Sequence, residues 1–306
     1  WPAPPDPERV RFHREIGGTA GLSADSTIVR ALTGKSDLSM ARPYAVWGSM
    51  DDFVCVADSD LPGLLIYDAR AGRVRVSRKQ AGLQCPVGVC GDSKETLYVS
   101  DSSQAKIFMF DRKADLIGVF AEGERLGRPT GLCYDCKRDW IWVADALERR
   151  VLGFNSSGKL MKTLGEEDEL LLPRALAAGP DGRLYVVDAL ACCVWVFEPE
   201  QGRLLATIGR QGTGGGEFTR PSGVALDDAG NVYVSDAAFN NIQIFSPEGK
   251  LSLVIGSGGT AVGSFDLPAG LWIDGRERLY SCDSLNQRLQ VFLLRSSLNP
   301  ARKDQL

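Results

Sequence analysis

The amino-acid sequence predicts an all-β fold, a six-bladed β-propeller of four-stranded antiparallel blades that is closed by the N-terminal strand. Two markers recur in step along the chain. A Pro opens each repeat, at Pro43, Pro86, Pro129, Pro173, Pro221 and Pro268, with spacings of 43, 43, 44, 48 and 47 residues. An Asp follows within each repeat, at Asp58, Asp101, Asp145, Asp188, Asp236 and Asp283, with spacings of 43, 44, 43, 48 and 47 residues. Two markers in one register indicate a single supersecondary unit that occurs six times.

Each repeat contains four short apolar runs, and the fifth repeat shows them most clearly. Its runs are Gly223 to Leu226, Val232 to Ser235, Ile242 to Phe245 and Leu251 to Ile255. Val, Ile, Tyr and Phe dominate the runs, while Asp-Ala-Gly-Asn, Asn-Asn and Pro-Glu-Gly separate them, which predicts four strands joined by tight turns. A small residue stands two positions after each opening Pro, at Ala45, Gly88, Gly131, Ala175, Gly223 and Gly270. We therefore expect the backbones of the innermost strands to approach one another closely at these positions.

Ring closure is predicted because the sixth repeat contains only three strands and one further strand precedes the first repeat. Residues 9–16, RVRFHREI, alternate like the last strand of a repeat, whereas the sixth repeat supplies only three runs and ends with RLQVFLL. Pairing of residues 9–16 with 288–294 would complete the sixth blade and cover an open edge. His13 then lies at the rim, where we interpret it as an ordinary strand residue.

Three further segments lie outside the repeats of the propeller domain, which spans residues 9–295. Residues 1–8 begin WPAPPDP and predict an extended Pro-rich tether. Residues 19–42 form an insert in which Ser23, Asp25 and Ser26 offer N-capping groups and Gly34 a stop, so a short helix is predicted near residues 26–33. Residues 296–306 form a C-terminal tail.

Composition excludes several classes of function. The chain has 35 Lys and Arg against 39 Asp and Glu, a net charge of -4, so a nucleic acid partner is not expected. One His in 306 residues removes most zinc sites and most His-based catalysis. The eight Cys lack the dense spacing of a disulfide scaffold and are interpreted mainly as core residues. A strained disulfide between vicinal Cys192 and Cys193 stays an open alternative. Cys133 with Cys136 supplies too few ligands for a zinc site.

The repeated carboxylates are interpreted as structural. All six blades carry the Asp that ends the second strand, and it is expected to accept backbone N–H groups in the connection to the third strand. A cation stands five residues later at Lys106, Arg150 and Arg288, and it is expected to pair with the Asp of its own or a neighbouring blade. Asp92, Asp135, Asp227 and Asp274 fall at turns after the first strand, where turn capping explains them better than a metal site.

Arginines around one mouth of the ring are the candidate binding residues. They are Arg42, Arg128 and Arg220, which precede an opening Pro, and Arg174, which follows one. The repeat does not require them, because Cys85 and Leu267 precede the Pro of two other blades. Planar guanidinium groups suit carboxylates, so an acidic protein or peptide partner is expected. The alternative is that each Arg pairs only with a nearby carboxylate such as Glu124, Glu169 or Glu217.

The sequences RPSGVALDDAGNVYVSDAAFNNIQIFSPEGK and LPAGLWIDGRERLYSCDSLNQRLQVF resemble NHL repeats. The NHL pattern is P-x-G-hydrophobic, then Y-V-x-D, then N-x-R-hydrophobic-Q-hydrophobic-F. The resemblance implies a six-bladed NHL propeller, and the Pro-rich start with the helical insert is similar to exported bacterial members, many of them lipoproteins. It thus implies export to the periplasm or cell envelope, with a membrane tether through a lipid anchor upstream of Trp1.

Three functions follow as hypotheses. The first is a non-enzymatic protein- or peptide-binding scaffold, with no catalytic residue, metal ligand or cofactor assigned. The second is a metal-dependent lyase or hydrolase, because relatives of NHL propellers include such enzymes, and it leaves calcium in the central channel open. The third is an RNA-binding NHL propeller, which would need a basic face with stacking aromatic residues.

Overall fold

The chain is a six-bladed β-propeller, as the sequence predicts. The structure is a computed structural model that describes residues 1, 8–17, 40–61, 63–68, 73–77, 82–165 and 170–294. The regular elements in these ranges are 24 β-strands, which form six antiparallel sheets of four strands each. The described ranges hold no helix long and apolar enough to cross a membrane. Most of the predicted tether, the predicted helix near residues 26–33 and the C-terminal tail lie outside the described residues.

The blades follow one another along the chain, and each runs from the innermost strand outward. Blade 1 comprises β2 (Pro43–Gly48), β3 (Phe53–Asp58), β4 (Leu64–Asp68) and β5 (Arg73–Val76). Blade 2 comprises β6 (Pro86–Gly91), β7 (Leu97–Asp101), β8 (Lys106–Phe110) and β9 (Leu116–Phe120). Blade 3 comprises β10 (Pro129–Asp135), β11 (Trp140–Asp145), β12 (Arg150–Asn155) and β13 (Leu160–Leu164).

The second half of the ring repeats this arrangement. Blade 4 comprises β14 (Pro173–Ala178), β15 (Leu184–Asp188), β16 (Cys193–Glu198) and β17 (Arg203–Ile208). Blade 5 comprises β18 (Pro221–Leu226), β19 (Val232–Asp236), β20 (Asn241–Phe245) and β21 (Leu251–Ile255). Blade 6 comprises β22 (Pro268–Ile273), β23 (Arg278–Asp283), β24 (Arg288–Leu294) and, as its outermost strand, β1 (Val10–Gly17).

The N-terminal strand closes the ring, which confirms the predicted pairing with a shift of one residue at its start. β1 runs antiparallel to β24 from the pair Val10 and Leu294 to the pair Gly17 and Arg288. The register shifts between Phe12 and Arg14, so the exposed His13 lies at an irregularity on the outer strand. An outer strand from the other end of the chain ties the first and last parts of the ring together.

The hydrophobic core lies between the blades. Each of six buried clusters draws its residues from two adjacent blades, so each sheet buries both faces against its neighbours. In the cluster between blades 2 and 3, Phe154 is fully buried and its ring packs 5.8 Å from that of Phe120. Burial of one such side chain stabilises the fold by about 1.5–3 kcal/mol. Cys90 is buried in this cluster and Cys133 in the cluster between blades 3 and 4, which confirms them as packing residues.

The innermost strands form a continuous ring around the axis. β2 contacts β6 and β22, and β14 contacts β10 and β18, so blades 1 and 4 are three steps apart in either direction. Small residues permit this close approach, as predicted, since a Cβ on Gly88 would lie 2.2 Å from the Thr130 carbonyl oxygen and one on Gly223 would lie 2.3 Å from that of Ala269.

Hydroxyl groups on or just after a second strand bond to the innermost strand of the next blade. The Ser235 hydroxyl donates to the Ala269 carbonyl at 2.6 Å, and the Ser284 hydroxyl donates to the Pro43 carbonyl at 2.6 Å. These bonds link blade 5 to blade 6 and blade 6 to blade 1. The rim of the central channel is therefore held by hydrogen bonds as well as by apolar packing.

Candidate binding site

One face of the ring carries the candidate site, and we call it the proline mouth. It holds the opening prolines, the loops that connect one blade to the next, and the turns between the second and third strands. The repeated Asp ties these loops and turns together. In blade 5, Asp236 accepts hydrogen bonds from the backbone N–H groups of Thr219 at 2.8 Å and Ala238 at 2.8 Å.

The same carboxylate arrangement recurs in the other blades. Asp145 accepts from Gly127 N at 2.9 Å, and Asp188 accepts from Leu172 N at 3.0 Å and Ala191 N at 2.9 Å. The expected backbone bonds from the connection to the third strand form at five of the six Asp, whereas Asp283 accepts there from the Asn286 side-chain amide. Each also binds the loop that precedes its own blade, which the sequence analysis did not anticipate.

Two of the three predicted cations pair with their Asp, whereas the exposed Lys106 forms no ion pair with a described residue. Arg288 Nε lies 2.8 Å from the Asp283 carboxylate, and Arg150 Nη2 lies 3.6 Å from that of Asp145. Both Asp side chains are fully buried, so the positive charge offsets part of the cost of burying a carboxylate.

The Asp ring positions three of the predicted arginines. The backbone N–H of Arg42 donates to Asp58 at 2.8 Å, that of Arg128 donates to Asp145 at 2.8 Å, and that of Arg220 donates to Asp236 at 3.2 Å. These bonds hold the backbone at the lip of the proline mouth, and all three Arg residues are exposed. The repeat thus uses the backbone at these positions and leaves the side chains to face solvent.

These three guanidinium groups make no ion pair with a described residue. Arg220 donates only to the carbonyl oxygen of Ala237, at 3.3 Å. Glu217, one of the expected partners, pairs instead with Arg210, at 2.9 Å. Its pKa is lowered chiefly by the backbone N–H of Gly214 and then by Arg210. Glu169, another expected partner, lies outside the described residues.

The fourth predicted arginine occupies a different place. Arg174 follows Pro173 on β14, at a β-bulge that interrupts the pairing of the first two strands. A bulge of this kind occurs after the opening Pro of all six blades. Bulges re-aim the side chain of the unpaired residue. Arg174 is half-buried, and its Cζ lies 5.0 Å from the ring centroid of Tyr44 on β2.

Exposed leucines lie on the same face as the three arginines, and they are not among the residues predicted from the sequence. Leu147, Leu190 and Leu285 are 62%, 63% and 50% exposed. Each stands two residues after the repeated Asp, in the turn between the second and third strands, where the other blades carry Asp60, Ser103 and Ala238. Comparison of the repeats in register would have found them. The proline mouth therefore combines unpaired cations with apolar side chains.

The opposite face carries the turns between the first and second strands, and its carboxylates are used within the fold. Asp227 accepts from Ala229 N at 3.0 Å, from Asn231 N at 2.8 Å and from the Tyr233 hydroxyl at 3.0 Å. Asp92, Asp135 and Asp274 accept backbone N–H groups in the same way, which confirms turn capping at all four positions. Burial, assisted by the Asp181 carboxylate, raises the pKa of the corresponding Tyr185 to about 12.

The cysteines are free thiols of unequal exposure. Cys192 and Cys193 are both buried, and burial together with Asp188 raises the pKa of Cys193 to about 12. Burial likewise raises the pKa of Cys133 well above the ordinary thiol value, whereas Cys136 is exposed. A buried thiol with a raised pKa is a poor nucleophile. These side chains supply no catalytic pair.

The described residues do not fit a metal centre. They contain no group of three or more His, Cys, Asp or Glu that could hold a metal ion. The residue after the opening Pro of each innermost strand is Tyr44, Val87, Thr130, Arg174, Ser222 or Ala269. None of these six is a carboxylate, and the Arg174 guanidinium would oppose a cation between the innermost strands.

Comparisons with known proteins agree with the fold. Residues 37–165 match a family described as SMP-30/Gluconolactonase/LRE-like region, and residues 178–238 match a family described as 6-bladed beta-propeller. A stretch of 45 residues is 42% identical to protein lin-41 of Caenorhabditis elegans, and it spans 15% of this chain and 4% of that protein.

Solved structures of several propellers are similar to the chain. A virginiamycin B lyase from Staphylococcus aureus has 12% identity and a TM-score of 0.62, with 85% of this chain and 97% of that chain covered. A gluconolactonase from Xanthomonas campestris has 17% identity and a TM-score of 0.63, with 95% and 96% covered. An auxiliary nutrient binding protein from Bacteroides thetaiotaomicron has 12% identity and a TM-score of 0.67, with 92% and 75% covered. At these identities the likenesses establish the fold alone.

Proposed function

We propose that the chain is a protein- or peptide-binding propeller of the NHL type that captures an acidic, partly apolar segment at the proline mouth. The observation that carries the proposal is the combination of Arg42, Arg128 and Arg220 with exposed leucines on one face. The arginine backbones are held by buried Asp residues, while their guanidinium groups are exposed and pair with no described carboxylate.

Physical chemistry favours an anionic partner at such a surface. An exposed guanidinium can form two parallel hydrogen bonds to a carboxylate, and several like charges around one opening attract an opposite charge. Exposed leucines add apolar area that a partner can cover. A segment that alternates acidic and apolar side chains would satisfy both features, whereas a basic segment would be repelled.

The direct test uses two fluorescent 12-residue peptides, one of alternating Glu and Leu and one of alternating Lys and Leu. Fluorescence anisotropy should show saturable binding of the acidic peptide only. The double variant Arg128→Ala with Arg220→Ala should bind it at least about tenfold more weakly, which corresponds to about 1.4 kcal/mol. Higher salt should weaken the wild-type interaction, because exposed charges are screened.

A matched control removes two positive charges from the opposite face. Lys94 and Lys113 are exposed in turns of blade 2, and only their backbone N–H groups are used in capping. Lys94→Ala with Lys113→Ala should leave peptide affinity unchanged, and both double variants should keep the wild-type melting temperature. Equal affinity in the wild type and the Arg128 and Arg220 variant, or equal loss in both double variants, would contradict the proposal.

A propeller hydrolase is the second candidate, and the match of residues 37–165 to the gluconolactonase-like family favours it. The described residues offer no carboxylate cluster for a catalytic metal, as stated above. The test is hydrolysis of glucono-1,5-lactone with and without added calcium. Turnover that depends on calcium and disappears with EDTA would replace the binding function with the enzymatic one.

A further inference from the structure

The side chains of Arg174 and Tyr44 meet across the axis of the ring. They belong to the innermost strands of blades 4 and 1, and three blade-to-blade steps separate these blades in either direction. The guanidinium carbon of Arg174 nevertheless lies 5.0 Å from the Tyr44 ring centroid. A contact between opposite blades must cross the central channel. This pair therefore spans the channel at the end that opens to the proline mouth.

The guanidinium of Arg174 is the unusual partner in this contact. Its Nε is buried and has no hydrogen-bond partner, and its side chain forms no ion pair with a described residue. An unpartnered Nε also occurs in Arg14, Arg138 and Arg150, but each of these pairs with an Asp. Other half-buried or buried arginines do have such partners: Arg288 contacts Asp283 and Glu15, and Arg278 contacts Asp274. Stacking on a ring engages the face of the guanidinium and leaves its in-plane N–H groups free.

The hydroxyl groups at the equivalent positions of blades 3 and 5 donate to carbonyl oxygens of the next blade, and neither forms a hydrogen bond with Arg174. The Thr130 hydroxyl contacts the Pro173 carbonyl at 3.2 Å, and the Ser222 hydroxyl contacts the Pro268 carbonyl at 2.7 Å. Both hydroxyl hydrogens thus have acceptors in the adjacent blade. A buried guanidinium N–H without an acceptor is costly, so an anion that supplies one would be stabilised there.

We propose that Arg174 and Tyr44 form an axial carboxylate site. The carboxylate lies in the plane of the guanidinium and accepts two hydrogen bonds, while the Tyr44 ring covers the guanidinium face from the opposite blade. The site takes a carboxylate either from a free organic acid or from a peptide that enters through the proline mouth. It does not depend on Arg42, Arg128 or Arg220, so it stands apart from the proposed function.

The experiment measures binding of acetate to the full chain at constant ionic strength. Isothermal titration should show saturable binding, and the ¹H–¹⁵N signal of Arg174 Nε should shift with the same midpoint. Arg174→Met should remove both effects. Arg174→Lys should weaken binding at least threefold, because an ammonium lacks the two-pronged geometry. Lys94→Ala with Lys113→Ala, on the opposite face, should bind acetate as the wild type does.

Two further measurements distinguish a free organic acid from a peptide carboxylate and test the proposal against other outcomes. A tripeptide Gly-Gly-Leu with a free C-terminus should compete with acetate, and its C-terminal amide should not. If the free acid fails to compete while acetate binds, the site takes small organic acids alone. Any one of three results would overturn the proposal: equal affinities for chloride and acetate, unchanged acetate binding by Arg174→Met, or no saturable acetate binding.

Discussion

At the scale of single residues, Asp52 of blade 1 contacts both blade 6 and β1 where the ring closes. It lies in the turn between β2 and β3 with a φ of 65°, and its carboxylate contacts Arg278 and, at 3.2 Å, Arg276 of blade 6. Arg14 of β1 approaches to 3.9 Å. Burial acts to raise the pKa of Asp52, but the hydrogen bond and charge of Arg278, with the charges of Arg276 and Arg14, outweigh it and lower the pKa.

This shift predicts a pH dependence of stability. A lowered folded-state pKa means that the stabilisation is fully present above the ordinary Asp pKa of about 3.9 and is lost as the pH falls through the folded-state value. Asp52→Asn should therefore lower the free energy of unfolding at pH 7 by about 1 kcal/mol, the upper end for partly exposed ion pairs. Urea titrations at several pH values measure the difference from the wild type.

The difference between wild type and Asp52→Asn should shrink as the pH falls below about 3.9. Asp60→Asn is the control, because Asp60 is exposed in the next turn of the same blade and has no basic partner in the described part of the chain. A difference that is the same at pH 7 and at pH 3 would show that the charge of Asp52 contributes nothing.

At the scale of the element, β1 completes blade 6 and protects its edge. Val10 is buried, and the rings of Trp1 and Phe12 pack 5.8 Å and 5.9 Å from that of Phe292. Glu15 adds an ion pair with Arg288 at 3.0 Å. Without β1, the backbone of β24 and the Phe292 ring would face solvent, which favours pairing with other chains.

Deletion of residues 1–17 should therefore lower the melting temperature sharply and promote aggregation. Differential scanning calorimetry and light scattering measure the two effects. Arg11→Ala is a matched control on the same strand, because Arg11 is exposed and pairs only with the nearby Glu8. A truncated chain that melts at the wild-type temperature and stays monomeric would contradict the role of β1.

The NHL-like polar residues also act at the element scale. Gln243 Nε2 donates to the Glu217 carbonyl at 2.8 Å, and Gln290 Nε2 donates to the Ser264 carbonyl at 2.7 Å. Both bonds tie a third strand to the loop that enters its own blade. These two side chains of the motif that produces the sequence resemblance therefore hold the loops in place.

At the scale of the whole molecule, most of the architecture is readable from the sequence because each blade repeats the same local rules. The six recurrences of Pro and Asp predict six blades. The missing fourth strand of the sixth repeat predicts that β1 pairs with that blade. The position of Arg174 is different, because contact with Tyr44 depends on the width of the channel. That width is set by packing between blades rather than by any local pattern.

One other feature of the candidate site can be found in the sequence when the six repeats are aligned with one another. Leu147, Leu190 and Leu285 look like ordinary apolar residues until the repeats are aligned, because the other blades carry Asp60, Ser103 and Ala238 at this turn position. The bulges after each opening Pro were not predicted, since a bulge reflects the pairing of two strands that approach the axis. The exposed arginines were predicted, and their role stays a prediction.

Amide hydrogen exchange with the alternating Glu and Leu peptide tests the central claim, that the proline mouth is the binding surface. Saturating peptide should slow exchange in the loops around Arg42, Arg128 and Arg220 and in the turns that carry Leu147 and Leu190. The turns that carry Lys94 and Lys113, on the opposite face, should exchange at the same rate with and without peptide. Protection confined to that opposite face, or no protection at either face, would contradict the account.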